Sequence, residues 1–121
     1  MYIIGLPRSR TAWLSVFMSQ SGTYFHHDGL NGCHSMGEYD KKVNGCGDST
    51  TGFIPLLSRI KDSKTVIIKK NDSELADCIE WCNKVYKFNS EEVILNLDAQ
   101  LNNIDGLIVN QSDIDKNLES I

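Results

Sequence analysis

Residues 2–21, YIIGLPRSRTAWLSVFMSQS, decide the fold of this chain. The pattern predicts a short buried strand from Tyr2 to Leu6, a tight Pro-Arg-Ser-Arg turn, and a helix with mostly apolar sides that ends near Ser21. A helix that follows a strand so closely leaves its first backbone N–H groups unpaired, with the positive end of the helix dipole behind them. Arg8 and Arg10 add two permanent charges. The stretch therefore predicts an anion cradle, suited to phosphate or sulfate.

The phosphate-binding loop of ATP-hydrolysing proteins, G-x-x-x-x-G-K-[ST], matches this turn poorly. When the pattern is aligned from Gly5, Arg10 takes the place of its second glycine, Thr11 that of its lysine, and Ala12 that of the hydroxyl residue that holds magnesium. These mismatches argue against an ordinary nucleotide hydrolase. An interpretation without any ligand also stays open, in which the turn joins a buried strand and helix and carries two surface arginines.

The turn instead resembles the 5′-phosphosulfate-binding loop of the sulfotransferases, P-[KR]-S-G-T-[TS]-W-L. Six of the eight positions agree, namely Pro7, Arg8, Ser9, Thr11, Trp13 and Leu14. Arg10 stands where the pattern has glycine, and Ala12 replaces its second hydroxyl residue. If the backbone at position 10 needs a positive φ, a side chain there costs roughly 1–2 kcal/mol. Arg10 is otherwise an added anion ligand, and the sequence leaves both interpretations open.

Composition places the chain among globular proteins. It has 121 residues, 40% of them hydrophobic and 23% charged, which suits one domain with a single core. The net charge of −4 argues against a broad electrostatic grip on nucleic acid. No apolar run approaches the ~20 residues of a membrane span, and the arginines interrupt the N-terminal apolar segment. We therefore expect a cytoplasmic protein that binds neither nucleic acid nor a membrane.

The cysteines are expected to be reduced, because the sequence shows no export signal. The four are Cys33, Cys46, Cys78 and Cys82. A zinc site is conceivable from the first two cysteines with the three histidines, His26, His27 and His34, but their spacing matches no familiar ligand pattern. We expect no metal.

A histidine-histidine-aspartate sequence, residues 26–28, follows a predicted second strand from Thr23 to Phe25. Ligand sites in open α/β sheets lie outside the carboxyl ends of the strands, so these side chains should share an edge with the anion loop. His27, or His26, beside Asp28 is a candidate general base, because the carboxylate can orient the ring and raise its basicity. The alternative is a polar strand end bonded only to its neighbours.

The middle of the chain is predicted to contain two helices joined by a turn. The first helix covers Ser35 to Val43, with Met36 and Tyr39 on its inner side. Asn44 to Asp48 is predicted to be a flexible turn, and Ser49 to Ile60 a second helix.

The second half of the chain carries clearer signals. Thr65 to Ile68 is a β-branched strand, and a helix runs from about Asp72 to Tyr86 with Leu75, Ile79 and Cys82 inward. Another helix starts at Ser90, followed by a strand, Gly106 to Asn110, and a final helix capped by Ser112. This order predicts an α/β three-layer fold with a mainly parallel sheet of about four strands. The resemblance implies the P-loop-type version of that fold.

A second segment strengthens the resemblance. Sulfotransferases carry R-[ND]-P-x-[DE]-[VL]-x-x-S after a central strand, and its Arg and Ser bind the 3′-phosphate of the donor. Here Lys70 takes the place of that Arg and Cys78 that of the Ser. The resemblance thus implies that both contact the 3′-phosphate. The alternative is a strand end with two solvated lysines, Lys69 and Lys70.

The implied function is that of a small sulfotransferase-like enzyme. Its donor would be 3′-phosphoadenosine 5′-phosphosulfate, its acceptor an unknown small molecule with a hydroxyl group, and no metal would be needed. The donor would be held by Arg8, Ser9, Arg10, Thr11, Ala12, Lys70 and Cys78. Arg8 would also stabilise the departing phosphate, and His27 with Asp28 would take the acceptor proton.

Two other functions stay open at this stage. Sulfotransferases are longer, so a single domain of residues 1–121 lacks the usual C-terminal part and could be a non-catalytic anion- or nucleotide-binding domain. A kinase-type nucleotide enzyme is the third hypothesis, and it would need magnesium. An apolar face left uncovered by the missing part would also favour a homodimer.

Overall fold

The computed structural model describes residues 1–51, 54 and 64–119. Within them, five parallel strands form one sheet in the order β2-β3-β1-β4-β5. The strands are β1 (Tyr2–Gly5), β2 (Phe25–His27), β3 (Gly47–Thr50), β4 (Thr65–Lys69) and β5 (Leu107–Asn110). The helices are α1 (Thr11–Ser19), α2 (Met36–Val43), α3 (Asp72–Tyr86), α4 (Glu91–Leu101) and α5 (Gln111–Glu119). None of these helices is long and apolar enough to cross a membrane.

Helices cover both faces of the sheet, as the sequence predicts. Successive strand residues point to opposite faces, so Ile4 and Ile67 pack with α2, α3 and α4, while Ile3 and Ile68 pack with α1 and α5. The larger core lies on the first face, where Tyr39, Cys78 and Cys82 are buried. The α/β three-layer prediction is therefore confirmed, with an all-parallel sheet of five strands instead of about four.

The strand order creates a switch point between β1 and β4. The chain leaves β1 through α1 on one face of the sheet, whereas it leaves the neighbouring β4 through α3 on the other face. The connections after these two strands therefore diverge and open a crevice at their carboxyl ends. Crevices of this kind are where open α/β sheets bind ligands.

Strand β3 is the element that the sequence analysis missed. The predicted turn, Asn44 to Asp48, is confirmed only as far as Cys46, and the predicted helix start at Ser49 was wrong, because Gly47–Thr50 is a fully buried strand. A hydropathy pattern does not reveal this strand, because most of its residues are polar. Each finds a partner: Asp48 binds the Tyr39 hydroxyl, Ser49 donates to the Thr11 carbonyl, and Thr50 donates to Asp28. Most of the predicted helix to Ile60 lies outside the described residues.

Smaller corrections concern where elements begin. Strand β2 runs from Phe25 to His27, two residues later than predicted, because the ring of Phe25 packs over Gly47, the residue it faces in β3. Helix α4 begins after Ser90, whose hydroxyl donates to the Asn83 side chain and does not cap the helix. Helix α5 begins at Gln111, so Ser112 lies inside it.

Candidate functional site

A cavity of about 580 Å³ opens at the carboxyl edge of the sheet, in the crevice between β1 and its neighbours. The loop after β1, the ends of β2 and β3, and the last turns of α3 surround it. Among the described residues, its lining includes Pro7, Arg8, Arg10, Thr11, Ala12, Trp13, His27, Asp28, Leu30, Asn31, Thr50, Thr51, Trp81 and Tyr86. The structure thus brings the predicted loop and the predicted histidine-aspartate pair to one cavity.

The loop between β1 and α1 turns sharply over Leu6 to Ser9. Pro7 occupies the second position of this turn and Arg8 the third, with φ 66°, the left-handed value that a type II turn requires there. Gly5 allows Ser9 to pack directly against it after the turn, because a Cβ at residue 5 would lie 2.8 Å from the Cβ of Ser9. The loop is therefore a strained, tightly folded segment.

The structure shows both the backbone conformation of Arg10 and the partner of its side chain, which the sequence left open. Its φ is 67°, so the position at which the sulfotransferase pattern has glycine is left-handed in this chain, and the arginine carries the conformational cost. Its guanidinium is also committed: Nε lies 2.8 Å from Oδ1 of Asp115 on α5, and Nη2 lies 3.1 Å from Oδ2. This two-point ion pair cancels most of the charge that Arg10 would offer to an anion.

Helix α1 begins without the capping that α2 and α3 have. Ser35 caps α2, and Asn71 with Glu74 forms a capping box on α3. Arg10 supplies no side-chain cap to α1, whose first turn contains no acidic residue. The first intrahelical bond runs from Leu14 N to Arg10 O at 2.9 Å, so the N–H groups before it have no helical partner. This helix start is electrostatically suited to an external anion.

Arg8 supplies the cation of the cavity. Its side chain is exposed and stacks over the indole of Trp81, with Cζ 5.2 Å from the ring centroid. A cation–π contact leaves the edge of the guanidinium open for hydrogen bonds. Trp81 itself was missed by the sequence analysis. It lies three residues after Cys78 on α3, at a helical spacing that placed it beside the predicted inward side of that helix.

His27 joins the loop to Asp28. Its Nε2 lies 3.2 Å from the Thr11 hydroxyl oxygen and 3.3 Å from Oδ2 of Asp28. A carboxylate only accepts hydrogen bonds, so in the neutral tautomer that donates to Asp28 the proton is on Nε2 and Nδ1 is the basic nitrogen. In that tautomer the hydroxyl proton of Thr11 is available to a ligand, because Nε2 does not accept it. His26 is turned away and contacts the Lys42 carbonyl.

Asp28 is held in turn by β3. Its Oδ1 accepts from the hydroxyl of Thr50 at 3.2 Å and from the N–H of Thr51 at 3.3 Å. Its backbone has φ 51°, which makes Asp28 the third left-handed non-glycine residue beside the cavity, after Arg8 and Arg10. Strand β3, which the sequence analysis did not predict, therefore positions the predicted base. Its polar side chains were interpreted as a loop, although they were the feature from which the strand could have been recognised.

Lys70 and Cys78, the predicted ligands of the 3′-phosphate, lie against the backbone of the loop after β1. Neither is among the described residues that line the cavity. The Lys70 ammonium donates to the Arg8 carbonyl at 3.0 Å and to Gln111 Oε1 at 2.6 Å, while the Cys78 thiol contacts the Pro7 carbonyl at 3.3 Å. Burial lowers the pKa of Lys70 and raises that of Cys78 to about 11. Both residues support the loop from behind.

Ser9 is fully buried under the loop. Its hydroxyl oxygen has no hydrogen-bond partner among the described residues. It lies against Gly5, not in the cavity lining. The predicted donor ligands therefore divide into residues at the cavity and residues that shape the loop. Those at the cavity are Arg8, Arg10, Thr11 and Ala12, and those that shape the loop are Ser9, Lys70 and Cys78.

Comparison with protein-family models, with curated proteins and with solved structures found no match to this chain. The described residues contain no group of three or more His, Cys, Asp or Glu side chains arranged to hold a metal ion. The chemistry of the cavity is therefore the structural basis for a function.

Proposed function

We propose that this protein binds a phosphosulfate or related nucleotide anion at the loop after β1 and transfers a sulfuryl group to a hydroxyl acceptor. One observation carries the proposal: the uncapped start of α1, the Arg8 guanidinium and the Thr11 hydroxyl border one cavity at the carboxyl edge of a parallel sheet. These groups supply donors and positive potential, and the first turn of α1 itself contains no acidic residue. The likeness of residues 7–14 to the sulfotransferase loop supports the choice of donor.

The chemistry follows from charge and proton movement. Sulfuryl transfer breaks the bond between sulfur and the bridging oxygen of the donor, so negative charge grows on the departing phosphate. Arg8, Thr11 and the first N–H groups of α1 would stabilise that charge in place. The acceptor hydroxyl loses its proton as its oxygen bonds to sulfur. His27 would take this proton at Nδ1, oriented through Nε2 by Asp28.

The position of Lys70 favours a second candidate function. Its ammonium donates to the Arg8 carbonyl and to Gln111, so Lys70 would have to leave these acceptors to bind the 3′-phosphate of a donor. A domain with this arrangement would bind a simpler phosphate or sulfate ester and catalyse nothing. The kinase-type alternative has no comparable support, because Ala12 stands where a magnesium-binding hydroxyl belongs.

Calorimetric titration separates these functions. The ligands are adenosine 3′,5′-bisphosphate, inorganic pyrophosphate, and ATP with magnesium, each titrated into wild type, Arg8→Ala and Lys41→Ala. Lys41 is an exposed lysine of α2 away from the cavity, so its removal controls for net charge. Transferase function predicts that the bisphosphate binds more tightly than pyrophosphate and that Arg8→Ala alone weakens it. Equal affinities favour the binding domain, and no binding of any ligand contradicts the proposal.

A further inference from the structure

We infer that α5 is a clamp that sets the conformation of the anion loop, with Gln111 and Asp115 as its positioning residues. This inference rests on the proposed anion site, which it deepens. Gln111 and Asp115 lie four residues apart and therefore share one side of the helix. Both reach the loop after β1, more than a hundred positions earlier in the chain, through Lys70 and Arg10.

The first contact of the clamp comes from strand register. Lys69 of β4 pairs with Asn110 of β5, so the next residues, Lys70 and Gln111, emerge side by side at the carboxyl edge. Gln111 is 5% exposed and accepts from the Lys70 ammonium, which also donates to the Arg8 carbonyl. A partly buried ammonium needs such acceptors, because burial without them is costly. Gln111 thereby fixes the cation that holds Arg8 in its left-handed conformation.

The second contact is the ion pair of Arg10 with Asp115. Its two bonds fix the plane of the guanidinium, whose remaining nitrogen, Nη1, lies 3.5 Å from the same Arg8 carbonyl. Both left-handed residues of the loop are thus tied to α5, one directly and one through Lys70. Two such residues so close together cost free energy and persist only where surrounding contacts over-determine them. Helix α5 supplies those contacts.

The inference predicts a result opposite to simple electrostatics. Removing a negative charge near an anion site ordinarily tightens anion binding. Asp115→Asn removes such a charge, yet it should weaken the binding of adenosine 3′,5′-bisphosphate roughly tenfold, because the loop loses its fixed conformation. Asp113→Asn makes the same change on an exposed residue of the same helix and should leave affinity unchanged or slightly higher. Equal or tighter binding by Asp115→Asn would overturn the clamp.

A second background separates positioning from general stability. Glycine adopts a left-handed backbone without strain, so Arg10→Gly should keep the loop conformation without help from α5. In that background Asp115→Asn should change affinity less than twofold. A tenfold loss in both backgrounds would show that Asp115 acts on stability or on the ligand directly, which contradicts the inference. Thermal unfolding of wild type, the two single variants and the double variant checks that the changes in affinity are not explained by changes in melting temperature.

Amide hydrogen exchange distinguishes failure of the clamp from failure of the proposed function. If wild type binds no probe, the proposed function fails, while the clamp still predicts faster exchange of the N–H groups of residues 8–13 in Asp115→Asn than in Asp113→Asn. Equal exchange in those two variants refutes the clamp, whether or not an anion binds. Asp115→Glu keeps the carboxylate and should restore slower exchange.

Discussion

The hydroxyl of Tyr39 donates a 2.6 Å hydrogen bond to Oδ2 of Asp48, a carboxylate with no exposed surface. Tyr39 comes from α2 and Asp48 from β3, so the bond ties a helix to the interior of the sheet. The other carboxylate oxygen accepts from the N–H of Gly29 at 3.0 Å, in the loop that follows Asp28. The pair therefore supports the strand and the loop that border the cavity.

Removing that hydroxyl should destabilise the protein. Tyr39→Phe leaves a buried carboxylate one donor short, and we expect the free energy of unfolding to fall by about 1–3 kcal/mol in urea denaturation. Tyr24→Phe is the matched control, because Tyr24 is 61% exposed and should tolerate the change. A similar small effect for both variants would contradict the structural role of the pair.

Asp48 should also give stability a specific pH dependence. Burial raises the pKa of Asp48 above its ordinary 3.8, so the folded protein binds this proton more tightly than the unfolded chain does. The stability that protonation of this group contributes is therefore fully present below pH 3.8 and is lost as pH rises through the folded pKa. The unfolding free energy of wild type minus that of Asp48→Asn should therefore decline as pH rises through that window. An increase of this quantity with pH would contradict the prediction.

Position 10 should prefer glycine to alanine. Both Arg10→Gly and Arg10→Ala lose the ion pair with Asp115, but only glycine adopts φ 67° without strain. We expect the glycine variant to be more stable than the alanine variant by about 1 kcal/mol in chemical denaturation. The same pair of substitutions at exposed Lys64 provides the control. Alanine equal to glycine at position 10 would contradict the left-handed conformation.

The hydroxyl of Thr11 should matter for ligand and not for folding. Thr11→Val keeps the shape of the side chain but removes its donor, so binding of adenosine 3′,5′-bisphosphate should weaken about fivefold to twentyfold. Thr11→Ser keeps the donor and should bind nearly as wild type does. Calorimetry measures the affinities, and thermal unfolding checks the fold. Equal loss in the two variants would point to packing instead of hydrogen bonding.

The cysteines should divide by burial when the native protein is alkylated. Cys78 and Cys82 are 2% exposed, and burial raises the pKa of both thiols, so both should resist iodoacetamide until the protein unfolds. Cys33 and Cys46 are partly exposed and should react first. Mass spectrometry of the labelled peptides distinguishes the two groups. Early labelling of Cys78 would contradict its place behind the Pro7 carbonyl.

Elements with a strong apolar period were predictable from the sequence. Helix α3 shows its inward residues at helical spacing, and β4 is β-branched, so both were found with nearly the observed bounds. Strand β3 was not found, because its polar residues are stabilised by partners on other elements. Hydrogen bonding over long sequence separations leaves no local signal for periodicity to detect.

Part of the candidate site was also predictable from the sequence. The loop after β1 and the histidine-aspartate pair were recognised from local patterns, and the structure brings them to one cavity. The orientation of Lys70 and the ion pair of Arg10 were not predictable. Both depend on α5, which lies beside the loop only because β5 pairs with β4.

The buried strand, the tight turn and the helix of residues 2–21 could be predicted from the sequence, because local sterics and apolar spacing dictate those elements. The sequence also shows that two arginines precede the start of that helix. The roles of the arginines, in contrast, depend on residues far away in the chain. Arg8 faces the cavity over Trp81, whereas Arg10 is neutralised by Asp115. Side chains distant in sequence become partners only when the sheet forms. A motif with two arginines therefore does not show which of them remains available to a ligand.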